Sequence, residues 1–105
     1  MDSQEALRLV TEGLRNAVGA DCGLGKKVKF DFGQDGVVVI DASVTPNVVD
    51  NVDRPTDCTL KQSIEDFALM SEGKLDSTLA FMSGRLKIEG DMGLAMRIDQ
   101  ALKTS

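Results

Sequence analysis

The side chains that could carry out chemistry in this chain are few. Its 105 residues include no histidine, which excludes a Ser-His-Asp or Cys-His mechanism. A general acid and a general base could be drawn from four aspartates: Asp41, Asp50, Asp53 and Asp57. They fall, however, at the ends of predicted strands and on a predicted edge strand, where charged groups are solvated and protect the edge. We therefore predict a protein without catalytic residues.

The two cysteines are the remaining candidates for reactive or metal-binding groups. Cys22 and Cys58 are far apart and do not form a C-x-x-C pair. Two separated cysteines without a histidine do not make a metal site. Because no export signal is recognised, we expect both to be reduced thiols. Cys22 is predicted in a glycine-rich loop and Cys58 in a strand, as a small core residue.

Gly19, Gly23 and Gly25 lie between a predicted helix and a predicted strand. A dinucleotide fingerprint needs its glycines after a strand and at the start of a helix, so the context here is reversed. The sequence also lacks the G-x-x-x-x-G-K-[ST] motif. We predict no cofactor.

Hydrophobic periodicity predicts an α+β fold with the element order α-β-β-β-β-α-α-β-α. Helices are expected over 2–18, 63–73, 76–84 and from 91 onwards, and strands over 27–32, 37–40, 47–53, 57–61 and 85–89. Asp2, Ser63 and Asp91 are expected to cap the first, second and last of these helices. The chain length suits one domain over residues 1–105. The strand at 47–53 is rich in Asp and Asn and is expected at a sheet edge, whereas 37–40 is apolar on both faces and is expected inside the sheet.

One face of this sheet is predicted to be apolar and must be covered by helices. It carries Val28, Phe30, Phe32, Leu86 and Ile88, and the covering set includes Phe67, Leu79, Met82 and the final helix. If the helices pack fully on the sheet, these residues form a core. If the helices stand off, the same residues line a tunnel. Residue types do not distinguish the two arrangements.

The final helix carries a stripe of apolar residues that is expected to face the core, and two methionines lie outside this stripe. At about 100° per residue, Met92 and Met96 fall outside the apolar arc, on the side of Asp99 and Lys103. They could border an apolar opening, pack under a neighbouring loop or form a dimer contact. Methionine suits surfaces that accept variable ligands, and it also fills gaps in cores.

The run from residue 73 to 96 carries a family resemblance. It contains G-K-L at 73–75, A-F-M-S-G-R-L-K-I at 80–88 and G-D-M at 90–92. The upstream D-C-T-L at 57–60, followed by Ser63 and Asp66-Phe67, fits the same pattern. These motifs resemble the sterol carrier protein 2 (SCP-2) domain. The strong match covers roughly the last half of the chain, and the first half fits by length and element order.

The resemblance implies a five-stranded, mixed and mostly antiparallel sheet covered by helices on one face, with an apolar tunnel between them. It implies non-catalytic binding and intracellular transfer of a fatty acid, fatty acyl-CoA, sterol or isoprenoid, with the last helix as a flexible gate. The ligand-binding residues would then be Phe30, Phe32, Phe67, Leu79, Met82, Leu86, Ile88, Met92 and Met96. The alternative is an accessory protein that presents an isoprenoid-quinone intermediate, or another lipid, to partner enzymes. The chain could also be a version of a module that is fused to oxidoreductases elsewhere.

The charge balance narrows the range of partners. A net charge of -5 argues against nucleic acid and against tight binding to anionic membranes. The net charge does not argue against transient contact with a neutral bilayer. No apolar run approaches the ~20 residues of a membrane span, and the sequence ends in Lys-Thr-Ser rather than a peroxisomal S-K-L address. We therefore expect a cytoplasmic protein.

Overall fold

Four α-helices and five β-strands follow one another along the residues that the computed structural model describes, 2–19 and 23–103. In chain order they are α1 (Ser3–Val18), β1 (Lys27–Asp31), β2 (Val37–Asp41), β3 (Val48–Asp50), β4 (Cys58–Lys61), α2 (Ile64–Ser71), α3 (Ser77–Met82), β5 (Lys87–Gly90) and α4 (Met92–Lys103). This is the predicted element order. A 3-10 turn, Gly33–Asp35, joins β1 to β2. The predicted loop around Cys22 lies outside the described residues.

The strands form one mixed sheet with the order β3-β2-β1-β4-β5. Only the β1–β4 pair is parallel, and the other three pairs are antiparallel. The edge position predicted for the third strand is confirmed, but the strand is shorter than 47–53. It ends at Asp50 because the Asp50 carboxylate accepts a hydrogen bond from the Val52 amide at 3.1 Å and turns the chain.

The register gathers the apolar side chains on the face of the sheet that the helices cover. Val28 lies opposite both Ile40 and Cys58, and Phe30 lies opposite both Val38 and Leu60. These side chains pack with buried residues of α1 and α4 into one core, which contains Leu14, Val18, Leu94, Ala95 and Ile98 among others. The predicted covering of one sheet face by helices is therefore confirmed.

The other face of the sheet is mostly polar but carries three valines, Val37, Val39 and Val48, of which Val39 is fully buried. Val39 lies in register with Lys29 on one side and Asp50 on the other. Both neighbours form ion pairs with the connection between β3 and β4: Lys29 Nζ lies 2.6 Å from Asp53, and Asp50 lies 3.1 Å from Arg54. The β2 strand is thus an interior strand, as its apolar sequence predicted.

Each helix begins at a side chain that accepts hydrogen bonds from its first turn. The capping residues are Asp2, Ser63, Asp76 and Asp91. The Asp2 and Asp91 caps were predicted from the sequence, as was the cap of α2 by Ser63 through the Asp66 amide, which lies 3.0 Å from the Ser63 hydroxyl. These caps fix where α2 and α3 begin, and hence where the helices cross the sheet.

The fifth strand starts two residues later than predicted, at Lys87 rather than residue 85. Gly84, with a φ of 83°, ends α3, and the amides of Arg85 and Leu86 both donate to the carbonyl of Ala80. Because these two amides are bonded within the turn, they cannot extend the pairing of β5 with β4. Leu86 is still buried, because the turn directs it towards the core.

Gly90 at the end of β5 allows a close approach between two backbones. Its φ is 92°, and a Cβ built on it would lie 2.4 Å from the carbonyl oxygen of Asp57. The same Asp57 oxygen accepts a hydrogen bond from the Asp91 amide at 3.0 Å. Only glycine fits here, so the G-D pair sets the junction between β5 and α4.

Candidate functional site: an apolar cavity between sheet and helices

A cavity of about 1280 Å³ lies between the inner face of the sheet and the helices. Its walls come from α1, β1, β4, α2, α3, β5 and α4, together with the segment 72–76 that joins α2 to α3. The helices therefore stand off part of the sheet, and the core and the cavity share the same apolar face. Of the two arrangements left open by the sequence, the structure has the one with a cavity.

Seven of the nine residues predicted to bind ligand line this cavity, and two do not. Those that line it are Phe30, Phe67, Leu79, Leu86, Ile88, Met92 and Met96. Phe32 and Met82 lie outside the lining. The seven come from six different elements or turns, which the topology brings to one side of the sheet.

Phe32 does not line the cavity but packs against two aromatic rings that do. The Phe67 ring meets the Phe30 ring edge-on at 5.6 Å between centroids, and meets the Phe32 ring at 5.7 Å. Phe32 is itself buried. It lines instead a smaller surface depression of about 430 Å³, together with Asp31, Lys61 and other residues.

Met82 is excluded by the orientation of α3. Ala80 is fully buried and fixes the inward side of this six-residue helix. Met82 follows two residues later, about 200° around the helix axis, and is 76% exposed. Helical spacing alone did not reveal this orientation, since a short helix gives too few positions to define its apolar side.

Exposed apolar side chains mark where the cavity reaches the surface. We call this set the rim: Leu9, Leu79, Phe81, Met92 and Met96. Leu79 is 62% exposed and Met96 is 68% exposed, yet both line the cavity. The methionine pair of α4 therefore lies at an apolar opening, which was one of the alternatives left by the sequence.

The wall contributed by α1 was missed by sequence reasoning. Leu9, Val10, Gly13, Leu14 and Ala17 all line the cavity. The signal was present, because Val10, Leu14 and Ala17 belong to the apolar stripe of this helix. Gly13 widens the space: a Cβ built there would meet nothing within 4 Å.

A few polar groups interrupt the apolar wall. The Ser77 hydroxyl donates a hydrogen bond to Asp99 Oδ2 at 3.2 Å, which joins the start of α3 to α4. Gln62, between β4 and the α2 cap, also lines the cavity. Its Oε1 is buried and has no hydrogen-bond partner in the part of the chain that the structure describes. Neither relationship could be seen from residue spacing.

Three titratable groups near the junction of β4, β5 and α4 have shifted pKa values, and each shift favours the usual protonation state of its group. Burial raises the pKa of the Cys58 thiol to about 11, with a further contribution from the negative charge of Asp91. Lys26 Nζ lies 3.0 Å from Asp91 Oδ2; this hydrogen bond raises the pKa of Lys26, and together with the Leu94 amide lowers the pKa of Asp91. Over residues 2–19 and 23–103, no acidic and Cys side chains cluster as a metal site would require. The arrangement can enclose an apolar molecule.

A mixed five-stranded sheet, helices on one face and an open apolar cavity between them define a small domain built to hold a hydrophobic ligand. The chain belongs to the SCP-2 sterol transfer family, whose family model matches residues 12–103. The predicted family is thereby confirmed, and with it lipid binding as the general property of the fold. Among residues 2–19 and 23–103, no helix has both the length and the apolar character of a membrane span.

Curated relatives match about half of the chain. It is 42% identical over 52 residues to human sterol carrier protein 2, a match that covers 50% of this chain and 10% of the relative. It is 48% identical over 46 residues to hydroxysteroid dehydrogenase-like protein 2 from Danio rerio, covering 44% of this chain and 11% of the relative. The match thus spans about a tenth of the length of these relatives.

Solved structures match nearly the whole chain at low identity, which shows the fold. Sterol carrier protein-2 from Aedes aegypti, determined in complex with the C16 fatty acid palmitate, superimposes with a TM-score of 0.67 at 18% identity, covering 97% of this chain and 96% of that one. The UbiJ-SCP2 ubiquinone synthesis protein superimposes with a TM-score of 0.69 at 19% identity, covering 92% and 96%.

Proposed function

We propose that this protein binds a lipid in the cavity without covalent chemistry and transfers it through the cytoplasm. The observation that carries this proposal is the open cavity of about 1280 Å³ between sheet and helices, with exposed methionine and leucine side chains at its rim. The ligand would be a fatty acid, fatty acyl-CoA, sterol or isoprenoid. The palmitate held by the mosquito protein of the same fold supports an acyl ligand.

The physical basis is the transfer of a hydrocarbon chain from water into an apolar space. Each buried methylene contributes about 0.8 kcal/mol, so a chain of several methylenes is held without many hydrogen bonds. The proposed contacts are Phe30 and Phe67 at the sheet, Leu86 and Ile88 beside β5, and the rim residues Leu79, Met92 and Met96. The flexible thioethers of the rim would adapt to chains of different shape, while α4 acts as the gate.

The first test is to identify what the purified protein carries. A native mass spectrum of freshly purified protein, followed by organic extraction, should show a discrete added mass that is identified as an acyl chain, sterol or isoprenoid. A bare chain mass, together with failure to take up a fluorescent fatty acid, would contradict the proposal.

A matched pair of methionine variants then tests the position of the opening. Met96→Arg brings a charge to the rim and should weaken binding of a fluorescent fatty acid at least tenfold. Met82→Arg makes the same change at an exposed methionine outside the cavity lining and should leave the affinity unchanged. Equal affinities in the two variants would argue against ligand entry at Met96.

A second candidate function is presentation of a lipid, such as an isoprenoid-quinone intermediate, to a partner enzyme. The observations that favour it are the shared fold with the UbiJ-SCP2 ubiquinone synthesis protein and the net charge of -5, which would attract a basic partner. Association with such an enzyme should then weaken as salt concentration rises. Lipid transfer between vesicles without any partner would favour the first function.

A further inference from the structure

The edge strand β5 presents backbone groups that pair with no other strand in the part of the chain that the structure describes. Its neighbour on one side is β4, and on the other side the sheet ends. The Asp91 amide donates to the Asp57 carbonyl across these two strands, and in an antiparallel pair every second residue is bonded in this way. Counting back from Asp91, Glu89 and Lys87 bond to β4, so the N–H and C=O groups of Ile88 point away from it.

The opposite edge of the sheet is covered by a side chain, whereas the β5 edge is not. In β3, the Val49 carbonyl accepts a hydrogen bond of 2.8 Å from the Arg15 guanidinium of α1, and the chain turns away at Asp50. Over residues 2–19 and 23–103, no side chain bonds to the backbone of Ile88 in this way. Unpaired edge groups are a template for another strand, so β5 is the edge at which the sheet can be extended.

The side chains of β5 carry one charge of each sign, on either side of Ile88. Lys87 and Glu89 are exposed, and they point to the outer face of the sheet because Ile88 lines the cavity on the inner face. Glu89 Oε2 lies 3.3 Å from Lys61 Nζ of β4. Lys87 lies in register with the same Lys61 and forms no ion pair with the residues that the structure describes. Like charges directly opposite each other are unfavourable, so an acidic group beside Lys87 would be stabilising.

A second copy of the chain supplies that acidic group if the two β5 strands pair antiparallel about Ile88. Each Ile88 then lies opposite the other, and their outward backbone groups exchange two hydrogen bonds. Lys87 of each copy lies opposite Glu89 of the other, once on each side of the symmetry axis. A register shifted by two residues in either direction would place Lys87 opposite Lys87, or Glu89 opposite Glu89. The register about Ile88 is therefore the one that joins opposite charges.

We propose that this protein forms a two-fold symmetric dimer by pairing its β5 strands, with Lys87 of each copy opposite Glu89 of the other. The symmetry axis of an antiparallel strand pair is perpendicular to the sheet, so the dimer has one continuous sheet of ten strands, five from each copy. The helices of both copies lie on the same face of this sheet. Because Ile88 lines the cavity of each copy, the two cavities are neighbours across the paired strands. The pairing uses the protein chain alone and requires no lipid.

Sedimentation equilibrium of the full chain over a range of concentrations tests the dimer. The mass of the wild-type protein should rise with concentration from that of one chain to that of two. Lys87→Glu places two acidic residues opposite each other at both ends of the pair and should weaken association at least about tenfold. Arg8→Glu makes the same change in net charge at an exposed position of α1 and should leave association unchanged. The mass of a single chain at every concentration up to the millimolar range, or equal association in the two variants, would overturn the proposal.

An exchange of the two charges tests the register. The double variant with Lys87→Glu and Glu89→Lys restores opposite charges across the axis, and it keeps an acidic residue beside Lys61. It should therefore associate as the wild-type protein does, although it contains the substitution that separates the single variant into monomers. A double variant that associates no better than Lys87→Glu alone would overturn the pairing about Ile88. Both residues are exposed, so thermal unfolding should show that every variant is folded.

Amide hydrogen exchange of the wild-type protein provides a readout that needs no substitution. The Ile88 amide is bonded to a strand only in the dimer, so its exchange should slow as the protein concentration rises. The Glu89 amide is bonded to β4 in every copy and serves as the internal control. Exchange of Ile88 that does not depend on concentration, in samples whose mass shows two chains, would assign the contact to another surface and overturn the proposal.

Discussion

Ser77 and Asp99 are joined by a hydrogen bond of 3.2 Å between the Ser77 hydroxyl and Asp99 Oδ2. Both residues line the cavity, and the bond joins the first residue of α3 to the middle of α4. The two helices that carry Leu79 and Met96 of the rim are therefore connected by a polar contact in an apolar wall. A ligand that passes between them has to break this contact or avoid it.

Removing the Ser77 hydroxyl should speed ligand exchange. In Ser77→Ala the connection between α3 and α4 loses about 1 kcal/mol, so the rate of lipid dissociation should rise roughly fivefold. Stopped-flow release of a fluorescent fatty acid measures this rate. Ser83→Ala is the control, because the Ser83 hydroxyl bonds only within α3, to the Ala80 carbonyl at 3.2 Å. Identical dissociation rates in the two variants would show that the opening lies elsewhere.

Filling the space beside Gly13 should block the cavity without unfolding the chain. A side chain at this position of α1 meets no atom within 4 Å of its Cβ and extends into the cavity wall. Gly13→Phe should weaken fatty acid binding at least tenfold, whereas Gly13→Ala should retain binding and stabilise the protein by roughly 1 kcal/mol through helix propensity. Fluorescence titration and thermal unfolding measure the two effects. Wild-type affinity in Gly13→Phe would mean that ligands do not occupy the space next to α1.

Of the glycines with a positive φ, Gly90 should tolerate substitution least. Gly90→Ala combines a φ of 92° with a Cβ 2.4 Å from the Asp57 carbonyl oxygen, and should lower the free energy of unfolding by at least about 2 kcal/mol. Gly73→Ala has a similar φ, 75°, with no atom within 4 Å, so it should lose only about 1 kcal/mol. Urea denaturation compares the variants. Equal losses would contradict the close approach of Asp57 and Gly90.

Cys58 should be an unreactive thiol up to high pH. Burial raises its pKa to about 11 from an ordinary value of 9.0, so at pH 8 its thiolate fraction, and hence its rate of reaction with a disulfide reagent, should be about a hundredfold lower than in the unfolded chain. Cys22→Ser isolates this signal. Rapid labelling of the native variant at pH 8 would contradict the burial of Cys58.

The same shift gives a pH dependence of stability. The folded state binds the Cys58 proton more tightly than the unfolded state, so the unfolded state loses its proton first as pH rises. Stability contributed by this group is fully present below pH 9 and should decline between about pH 9 and pH 11. Urea denaturation at increasing pH, with Cys58→Ser as the reference, isolates the contribution of this thiol. A slope of the same size in both proteins would assign the loss to other groups.

Local features of the fold could be predicted from the sequence because they depend on neighbours along the chain. Period-two alternation gave the strand at 27–32, and side-chain oxygens at Asp2, Ser63 and Asp91 gave the starts of three helices. The end of β3 was misjudged, since an aspartate turn at Asp50 competes with strand pairing. The parallel pairing of β1 with β4 follows from tertiary packing, which strand periodicity does not encode.

The candidate site was predictable only in part, for a related reason. Phe30 and Ile88 were assigned to the cavity side from the alternation of their strands. Phe32 was assigned with them, but it does not line the cavity and packs against the ring of Phe67. Met82 was assigned to the covering set together with Leu79, but buried Ala80 sets the orientation of α3. The unpaired oxygen of Gln62 is visible only once all its neighbours are in position.

The parallel ladder between β1 and β4 has a consequence for the order of events during protein synthesis. Val28 pairs with Cys58 across a wide gap in sequence, and such non-local contacts form late in folding. The cavity takes walls from α1 and β1 on one side of this ladder and from α4 on the other. A nascent chain therefore has no site for a lipid until α4 has left the ribosome. A ligand of this cavity therefore cannot guide the folding of the elements that precede α4.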